Sequence, residues 1–497
     1  MDEDKTNMGE KTNVIFILSD DQGPWAAGCY GNPEIRTPNI DNLAETGVLM
    51  GNFFCTSPVC SPARASLMTG RIPSQHGIHD WIRDGNMPPE ARQYIEGFTC
   101  YTDILAKNGY ICGFSGKWHL GDSLTPQHGF THWFCHQKGG GSYNNAPMVR
   151  NGRAVTAKGY ITDVITDDGL DFIEKNKDQT FYLSIHYTAP HSPWTGHPQD
   201  IVDSYDDCSF ESCPQEPLHP GAGPLTRESY GNRELLKGYF AAVTSMDLSI
   251  GRIMKKLDQL KLRNKTLIVF SSDNGFSCGH HGFWGKGNGT FPLNMYDNSI
   301  KVPMIFSHPG ALPQGLAVDA MTSQYDFMPT LLDYLGLEYI QGGDLPGRNF
   351  LAVLKGEKNE AHDEVVVYDE YGPVRMIRTR EWKYVHRYPY GAHELYNLVH
   401  DPFERNNLID DPSQRSLAKE LRGRLFTWFK RYVNPQMDGA RFPVSGSGQR
   451  EKIEQDEGGE GCFYSDRLVM SENGFPKIDP CYDLNQSRHI VEDKHEL

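Results

Sequence analysis

Four short, unbroken apolar runs, at residues 13–18, 109–114, 180–185 and 266–270, constrain this chain more than any other feature. A strand that is apolar on both faces must be covered on both, which is the pattern of a parallel sheet sandwiched by helices rather than of a half-exposed antiparallel one. Helical periodicity separates the runs. Short patterns occupy 39–46 and 101–107, and a long one at 232–260 places Leu236, Tyr239, Phe240, Val243, Ile250, Ile253, Met254 and Leu257 at spacings of three, four and seven. A further helix is expected at 323–335. The alternation predicts an α/β domain with a large, mostly parallel sheet over residues 12–355. Beyond it, strand-like runs at 364–368, 374–378, 382–386 and 394–398 are separated by short gaps, and a helix pattern at 413–432 ends at Asn434-Pro435. This predicts a smaller antiparallel sheet with one helix over 356–435. Residues 436–497 are Gly-rich and acidic without a clear period, and are expected to wrap the body irregularly or to be partly disordered.

Ligands of open α/β sheets bind beyond the carboxyl ends of the strands, so the residues that follow each run are where chemistry is to be sought. They are Ser19-Asp20-Asp21-Gln22, Gly116-Lys117-Trp118-His119, His186-Tyr187-Thr188-Ala189-Pro190-His191 and Ser271-Ser272-Asp273-Asn274-Gly275. All four ends carry groups that ionise or coordinate. Asp20, Asp21, Asp273 and Asn274 offer only oxygen, which suits Ca²⁺ or Mg²⁺ rather than zinc or copper. Taken singly, Asp-Asp is as good a helix cap and Asp-Asn-Gly as good a turn. Two such pairs directly after buried strands favour the cation.

The segment Cys60-Ser61-Pro62-Ala63-Arg64, trailed by Leu67-Met68-Thr69-Gly70-Arg71, has Ser61 as a candidate helix cap and Pro62 as a candidate first helical residue. Cys60 is therefore expected beside free N–H groups that favour an anion.

This segment resembles the signature of the type I, formylglycine-dependent sulfatases of the alkaline phosphatase-like superfamily. Asp20-Asp21, Gly116-Lys117-Trp118-His119, Ala189-Pro190-His191, Ser272-Asp273-Asn274-Gly275 and Trp284-Gly285-Lys286-Gly287 follow in the family's order. Two departures are visible: Ala63 stands where Ser is commoner, and residues 288–298 lengthen a loop that is usually tighter. The resemblance implies a sulfuric ester hydrolase whose Cys60 is converted to formylglycine by a formylglycine-generating or sulfatase-maturating enzyme. It implies a Ca²⁺ or Mg²⁺ site of Asp20, Asp21, Cys60, Asp273 and Asn274. Lys117 and Lys286 would bind sulfate, His191 would protonate the leaving oxygen, His119 would accept a proton in the second step, and Arg64 would hold the nucleophile. By resemblance to bacterial carbohydrate sulfatases, the expected substrate is a sulfated oligosaccharide attacked from its end. A phosphonate or phosphate esterase, or a catalytically silent glycan-binding relative, is the alternative.

His79, Asp80 and Arg83, after the signature, and His280 and His281 are candidate substrate contacts, with Trp133, Tyr143, Asn144 and Trp194 expected on loops around the same face. His186 is expected to be structural. The formal net charge of −16, from 48 Lys+Arg against 64 Asp+Glu, excludes a general nucleic-acid binder. No apolar run approaches the length of a membrane span. Residues 1–13 lack the apolar core of a signal peptide, so the chain as written is expected in the cytoplasm, or in the periplasm or outside the cell if its natural start has been removed. Eleven scattered cysteines make neither a disulfide scaffold nor a zinc module, although Cys208 and Cys213 are close enough in sequence to bridge.

Overall fold

The computed structural model describes residues 11–339, 342–369, 373–388, 391–441, 444, 448–453, 462–463, 468–470 and 476–478. Its main element is an eleven-stranded sheet. The strands are β1 (Asn13–Ser19), β2 (Val48–Phe54), β3 (Ile111–Gly116), β4 (Phe130–His136), β5 (Pro147–Arg150), β6 (Arg153–Thr156), β7 (Phe181–His186), β8 (Thr266–Ser272), β9 (Lys301–Val302), β10 (Met304–Ser307) and β11 (Leu316–Ser323). The four apolar runs become β1, β3, β7 and β8, and they lie side by side in the order β8–β1–β7–β3, all parallel. Burial on both faces is literal here. Val14, Phe16 and Leu18 join one core, while Ile15 and Ile17 join the other.

Helices cover both faces. Those used below are α1 (Pro38–Glu45), α2 (Cys60–Thr69), α3 (Tyr101–Lys107), α4 (Ile161–Asn176), α5 (Arg233–Gln259), α6 (Phe327–Tyr334) and α7 (Arg415–Tyr432). Helix α5 carries out the long periodic pattern, burying Leu236, Tyr239, Phe240, Val243, Ile250, Ile253 and Leu257. Its Asp247 also caps a different helix, accepting from the Asn39 and Ile40 N–H groups at 3.0 and 2.8 Å at the start of α1, whose own cap residue, Thr37, makes no side-chain bond to the helix's free N–H groups.

The structure departs from the sequence reading at several elements. Strand β4 reads poorly because Thr131 and His132 interrupt its apolar character, and α4 because Asp163, Asp167, Asp168 and Asp171 dilute its period. The helix expected at 323–335 opens as a 3-10 turn at Gln324–Asp326 before α6. Helix α2 starts at Cys60 itself with Val59 before it, so Ser61 is not the cap; its hydroxyl donates instead to the His119 carbonyl at 2.9 Å. Cys208 and Cys213 are both free thiols.

The antiparallel sheet is β12 (Val365–Asp369), β13 (Val374–Arg378), β14 (Trp382–Arg387) and β15 (Glu394–Asn397), in that order. Leu421, Leu425 and Phe429 of α7 pack on it beside Val366, Tyr368, Ile377 and Tyr384. A buried ion network ties this sheet to the larger one. Lys383 Nζ donates to Asp297 Oδ1 at 2.6 Å and to the Met295 carbonyl at 2.8 Å, and it pairs with Glu404. Arg378 reaches the same Asp297 at 3.1 Å. Of the expected irregular extension, residues 448–453 and 462–463 lie against the body around residues 77–84, and 468–470 pair with 476–478.

Removing one partner from a buried ionic network strands the others, so Lys383→Met is expected to destabilise the fold by about 3 kcal/mol, with Glu404→Gln recovering part of the loss in the double variant. Urea unfolding of the three proteins checks this.

Candidate active site

Parallel pairing sets the strand ends level. Ser19 pairs with Ser272, Leu18 with His186, and Gly116 also with His186. The residues after β1, β8, β3 and β7 therefore emerge at one edge of the sheet, and α2 points its first turn at them. Lys286 arrives from the loop after a small hairpin of Ser277–Cys278 with Trp284–Gly285.

Asp20, Asp21, Asp273 and Cys60 each bring a donor atom to within 4.8 Å of all the others, and all four are buried. Three buried carboxylates need countercharge, and three cations supply it. Lys117 Nζ bonds Asp20. Lys286 Nζ bonds Asp21 Oδ1 at 2.6 Å, and Arg64 Nε bonds Asp273 Oδ2 at 2.9 Å. Arg64 is itself fixed by the Lys117 carbonyl at 2.7 Å and by His186 Nδ1 at 3.4 Å. Burial pushes the Asp20 and Asp21 carboxyls up, but Lys117 and Lys286 respectively, each with help from His191, outweigh it and hold both below the ordinary range. Burial, with Asp20 beside it, pushes the Cys60 thiol up to about 12 despite Lys117 and Lys286. The thiol donates to Asp20 Oδ1 at 3.4 Å and accepts from Lys286 Nζ at 2.8 Å.

A hard divalent cation fits this donor set. Asn274 gives its amide nitrogen to Asp21 Oδ1 at 2.7 Å, which leaves Asn274 Oδ1 as a buried acceptor with no hydrogen-bond partner. An orphaned amide oxygen beside three carboxylates is a ligand in want of a cation. Backbone strain sits at the same place: Asp21 (φ 64°) and His119 (φ 57°) are both left-handed without being glycine. His119 Nε2 donates to the Ile82 carbonyl at 3.0 Å. Burial, then Lys117 and Arg64, hold its ring well below the ordinary imidazole range, so it is neutral. His191 Nε2 lies 3.7 Å from Asp21 Oδ2 and is 30% exposed, the most open of the group.

The structure thus brings together Cys60, Arg64, Lys117, His119, His191, Lys286, Asp20, Asp21, Asp273 and Asn274. It does not bring His79 and Asp80 to them as substrate contacts. Both are buried: His79 Nε2 donates to the Met437 carbonyl at 2.7 Å, and Asp80 Oδ2 accepts from the Gly448 N–H at 2.8 Å. The Arg83 N–H is bonded to Gln449 O on the same covered segment. His280 bonds the Ser212 carbonyl at 2.9 Å, and His281 stacks on Tyr296 with ring centres 3.8 Å apart. Trp133 belongs to β4 and is core, as is Trp194, while the Tyr143 hydroxyl donates to the His191 carbonyl at 2.8 Å.

Sequence reasoning missed several supporting residues. Gln324 donates to the Asp273 carbonyl at 2.7 Å and accepts from Thr56 N–H at 3.0 Å, and the Tyr239 hydroxyl donates to the Asp21 carbonyl at 2.9 Å. Gly139 passes so close to His119 that a Cβ there would meet Nε2 at 2.2 Å. The visible signal was the Gly139-Gly140-Gly141 run.

A family profile described as "Sulfatase" matches residues 12–337, and one described as "N-sulphoglucosamine sulphohydrolase, C-terminal" matches 279–431. The chain is 31% identical over 438 residues to an ulvan-active sulfatase of Formosa agariphila, across 84% of this chain and 80% of that protein. It is 26% identical over 511 residues to an N-acetylglucosamine-6-O-sulfatase of Bacteroides thetaiotaomicron, across 86% and 88%. A solved structure of a protein in complex with its substrate D-glucosamine-2-N,6-O-disulfate superposes with a TM-score of 0.75 and 25% identity, covering 87% of this chain and 100% of that one.

Burial lowers His79 to about 4, with the Met437 carbonyl opposing. The unfolded chain takes up a proton near pH 6.5 that the folded one refuses, so this stability is present above pH 6.5 and lost as pH falls towards 4. At pH 5 the loss is about 2 kcal/mol. His79→Gln, which keeps a donor for Met437, is expected to remove that part of the pH dependence, as read from urea midpoints at pH 7.5 and 5.

Proposed function

The chain belongs to the sulfatase family, enzymes that hydrolyse sulfate esters, and from that premise we propose that it removes sulfate from the ends of sulfated carbohydrates, using an oxygen nucleophile made from Cys60. The observation that carries this reading is the convergence of Asp20, Asp21, Asp273 and Cys60, all buried and within 4.8 Å of one another at the N-terminus of α2.

An unmodified Cys60 is ill suited to the task. A thiol pushed up to about 12 is neutral, and sulfur is a poor partner for a hard cation. Conversion to formylglycine replaces it with a hydrated aldehyde whose two hydroxyls sit on one carbon, one to displace the alcohol at sulfur and one to expel sulfate afterwards. Ca²⁺ or Mg²⁺ held by Asp20, Asp21, Asp273, Asn274 and residue 60 supplies positive charge to polarise the sulfate and to favour the ionised nucleophile. Lys117 and Lys286, already aimed at this cluster, bind the sulfate oxygens. Arg64, with two contacts to Asp273 and one to the Lys117 carbonyl, keeps residue 60 and its carboxylates in place. His191, at the open side, gives its proton to the leaving alcohol. His119 Nδ1 takes the proton of the second hydroxyl, because Nε2 is committed to Ile82.

Charge supports a small substrate. Three cations balance three carboxylates in the cluster, so a bound divalent ion leaves a local surplus that attracts a sulfate. The overall charge of −16 disfavours a densely sulfated polymer lying along the surface. The names of the relatives, an ulvan-active and an N-acetylglucosamine-6-O-sulfatase, support a carbohydrate.

The test is hydrolysis of defined sulfated mono- and disaccharides beside a sulfated polymer, an aryl sulfate and an aryl phosphodiester. Release of sulfate from a terminal sugar is expected, and phosphodiester turnover above any sulfate turnover would overturn the proposal. Cys60→Ala is expected to abolish turnover while leaving the unfolding free energy within about 1 kcal/mol of the parent, since one small buried side chain is lost. Chelation is expected to abolish activity and lower the melting temperature. Restoring Ca²⁺ to 100 times its Kd should return about 2.7 kcal/mol of stability, and much less in Asp21→Asn.

A further inference from the structure

Among the residues that the irregular C-terminal extension buries against the catalytic half, Gln449 is polar. Gln449 is fully buried, and both its backbone and its side chain are bonded to the loop that follows α2. Its N–H donates to the Trp81 carbonyl at 2.8 Å, and its carbonyl accepts from the Arg83 N–H at 2.9 Å. Its Oε1 accepts from the His79 N–H at 3.0 Å, and its Nε2 donates to the Gly77 carbonyl at 2.9 Å and to the Glu451 carbonyl at 3.0 Å. The seat is tight. The preceding Gly448 has φ 97°, and a Cβ there would fall 2.6 Å from Arg83 Cβ.

The two backbone bonds straddle Ile82, which pairs with Gln449 as a parallel bridge. Ile82 turns its own polar groups toward the active site. Its carbonyl accepts from His119 Nε2 at 3.0 Å, and its N–H donates to Ser61 Oγ at 3.1 Å, while Ser61 Oγ donates to the His119 carbonyl at 2.9 Å. A carbonyl can only accept, so Nε2 carries the proton and Nδ1 keeps the lone pair. Nδ1 is buried and has no hydrogen-bond partner. The Ile82 carbonyl therefore sets both the tautomer and the orientation of the ring.

We infer that Gln449 is a positioning residue for His119: its side chain, anchored to the His79 N–H and the Gly77 carbonyl, seats the backbone bonds that clamp Trp81 and Arg83, and these fix the Ile82 carbonyl and through it the orientation in which the His119 Nδ1 lone pair meets the reaction. This rests on the reading of His119 as proton acceptor given above. The extension thereby supports the catalytic geometry through a loop some 370 residues away in sequence.

The test uses the full-length, modified enzyme, with kcat normalised to the fraction of residue 60 converted, measured by mass spectrometry. A displacement of a reacting group of the order of 1 Å costs about 10- to 100-fold in rate, so Gln449→Ala is expected to lower kcat by that factor with KM changed less than about 2-fold. In a His119→Ala background the same substitution should change kcat by less than about 2-fold, because the group through which it acts is already gone. Gln449→Met keeps the backbone bonds and much of the buried volume while losing the side-chain bonds to His79 and Gly77, and should show a loss of the same kind even if the alanine variant folds poorly. Arg450→Ala, which removes only an exposed pairing with Asp84 on the same segment, should leave kcat unchanged. Wild-type kcat in Gln449→Ala, or equal losses in both backgrounds, overturns the inference. A parent enzyme with sulfatase activity whose His119→Ala variant is fully active instead overturns the role of His119.

Discussion

Everything at this site follows from the cost of burying three carboxylates side by side. Asp20, Asp21 and Asp273 are all nearly inaccessible and close enough to repel one another strongly in a medium of low polarity. Lys117, Lys286 and Arg64 offset that repulsion one for one, and Lys286 is held further by Cys60 Sγ and Arg64 by the Lys117 carbonyl. The same arrangement explains the chemistry. Its fixed charges cancel and its dipoles are held in place by the surrounding protein, the kind of preorganised interior in which fixed groups act most strongly.

Positioning this cluster is the task of the parallel sheet. Strands in register deliver their final residues to one level, so groups separated by up to 253 residues in sequence, such as Asp21 and Asn274, come within bonding distance without any long flexible loop. The cost appears as two residues in left-handed conformations, Asp21 and His119, at the points where the chain must turn sharply off a strand end. Helix α2, buried along its whole length, brings Cys60 to the same place. The antiparallel sheet and the extension support it from outside, through the Lys383–Asp297 network and through Gln449.

Much of the fold was legible because two-sided burial leaves a strong signature. The runs that became β1, β3, β7 and β8 contain almost nothing polar, and the residues after them carried the site. Elements whose pattern is mixed were not legible. Strand β4 includes Thr131 and His132 near its exposed start, and α4 places four aspartates around its turns. Specificity residues were read least well. His79 and Asp80 look in sequence like groups that could grip a sugar, but whether a polar side chain faces ligand or protein depends on what covers it, and here residues 437 and 448–449 do. The indole of Trp133 is likewise core because its strand pairs with β3.

The sequence by itself determined the sheet type, the identity of the nine residues that gather around Cys60, and the family to which the chain belongs, because each depends on local pattern or on short motifs at strand ends. Only the tertiary structure decided which neighbours those residues have: that Asn274 is left with an orphaned oxygen, that His119 Nε2 is committed to Ile82, and that Gln449 holds Ile82 in place. Those are consequences of distance and burial in three dimensions. Hydrogen bonds between Gln449 and the loop after α2 span some 370 residues, and no periodicity in the chain records them.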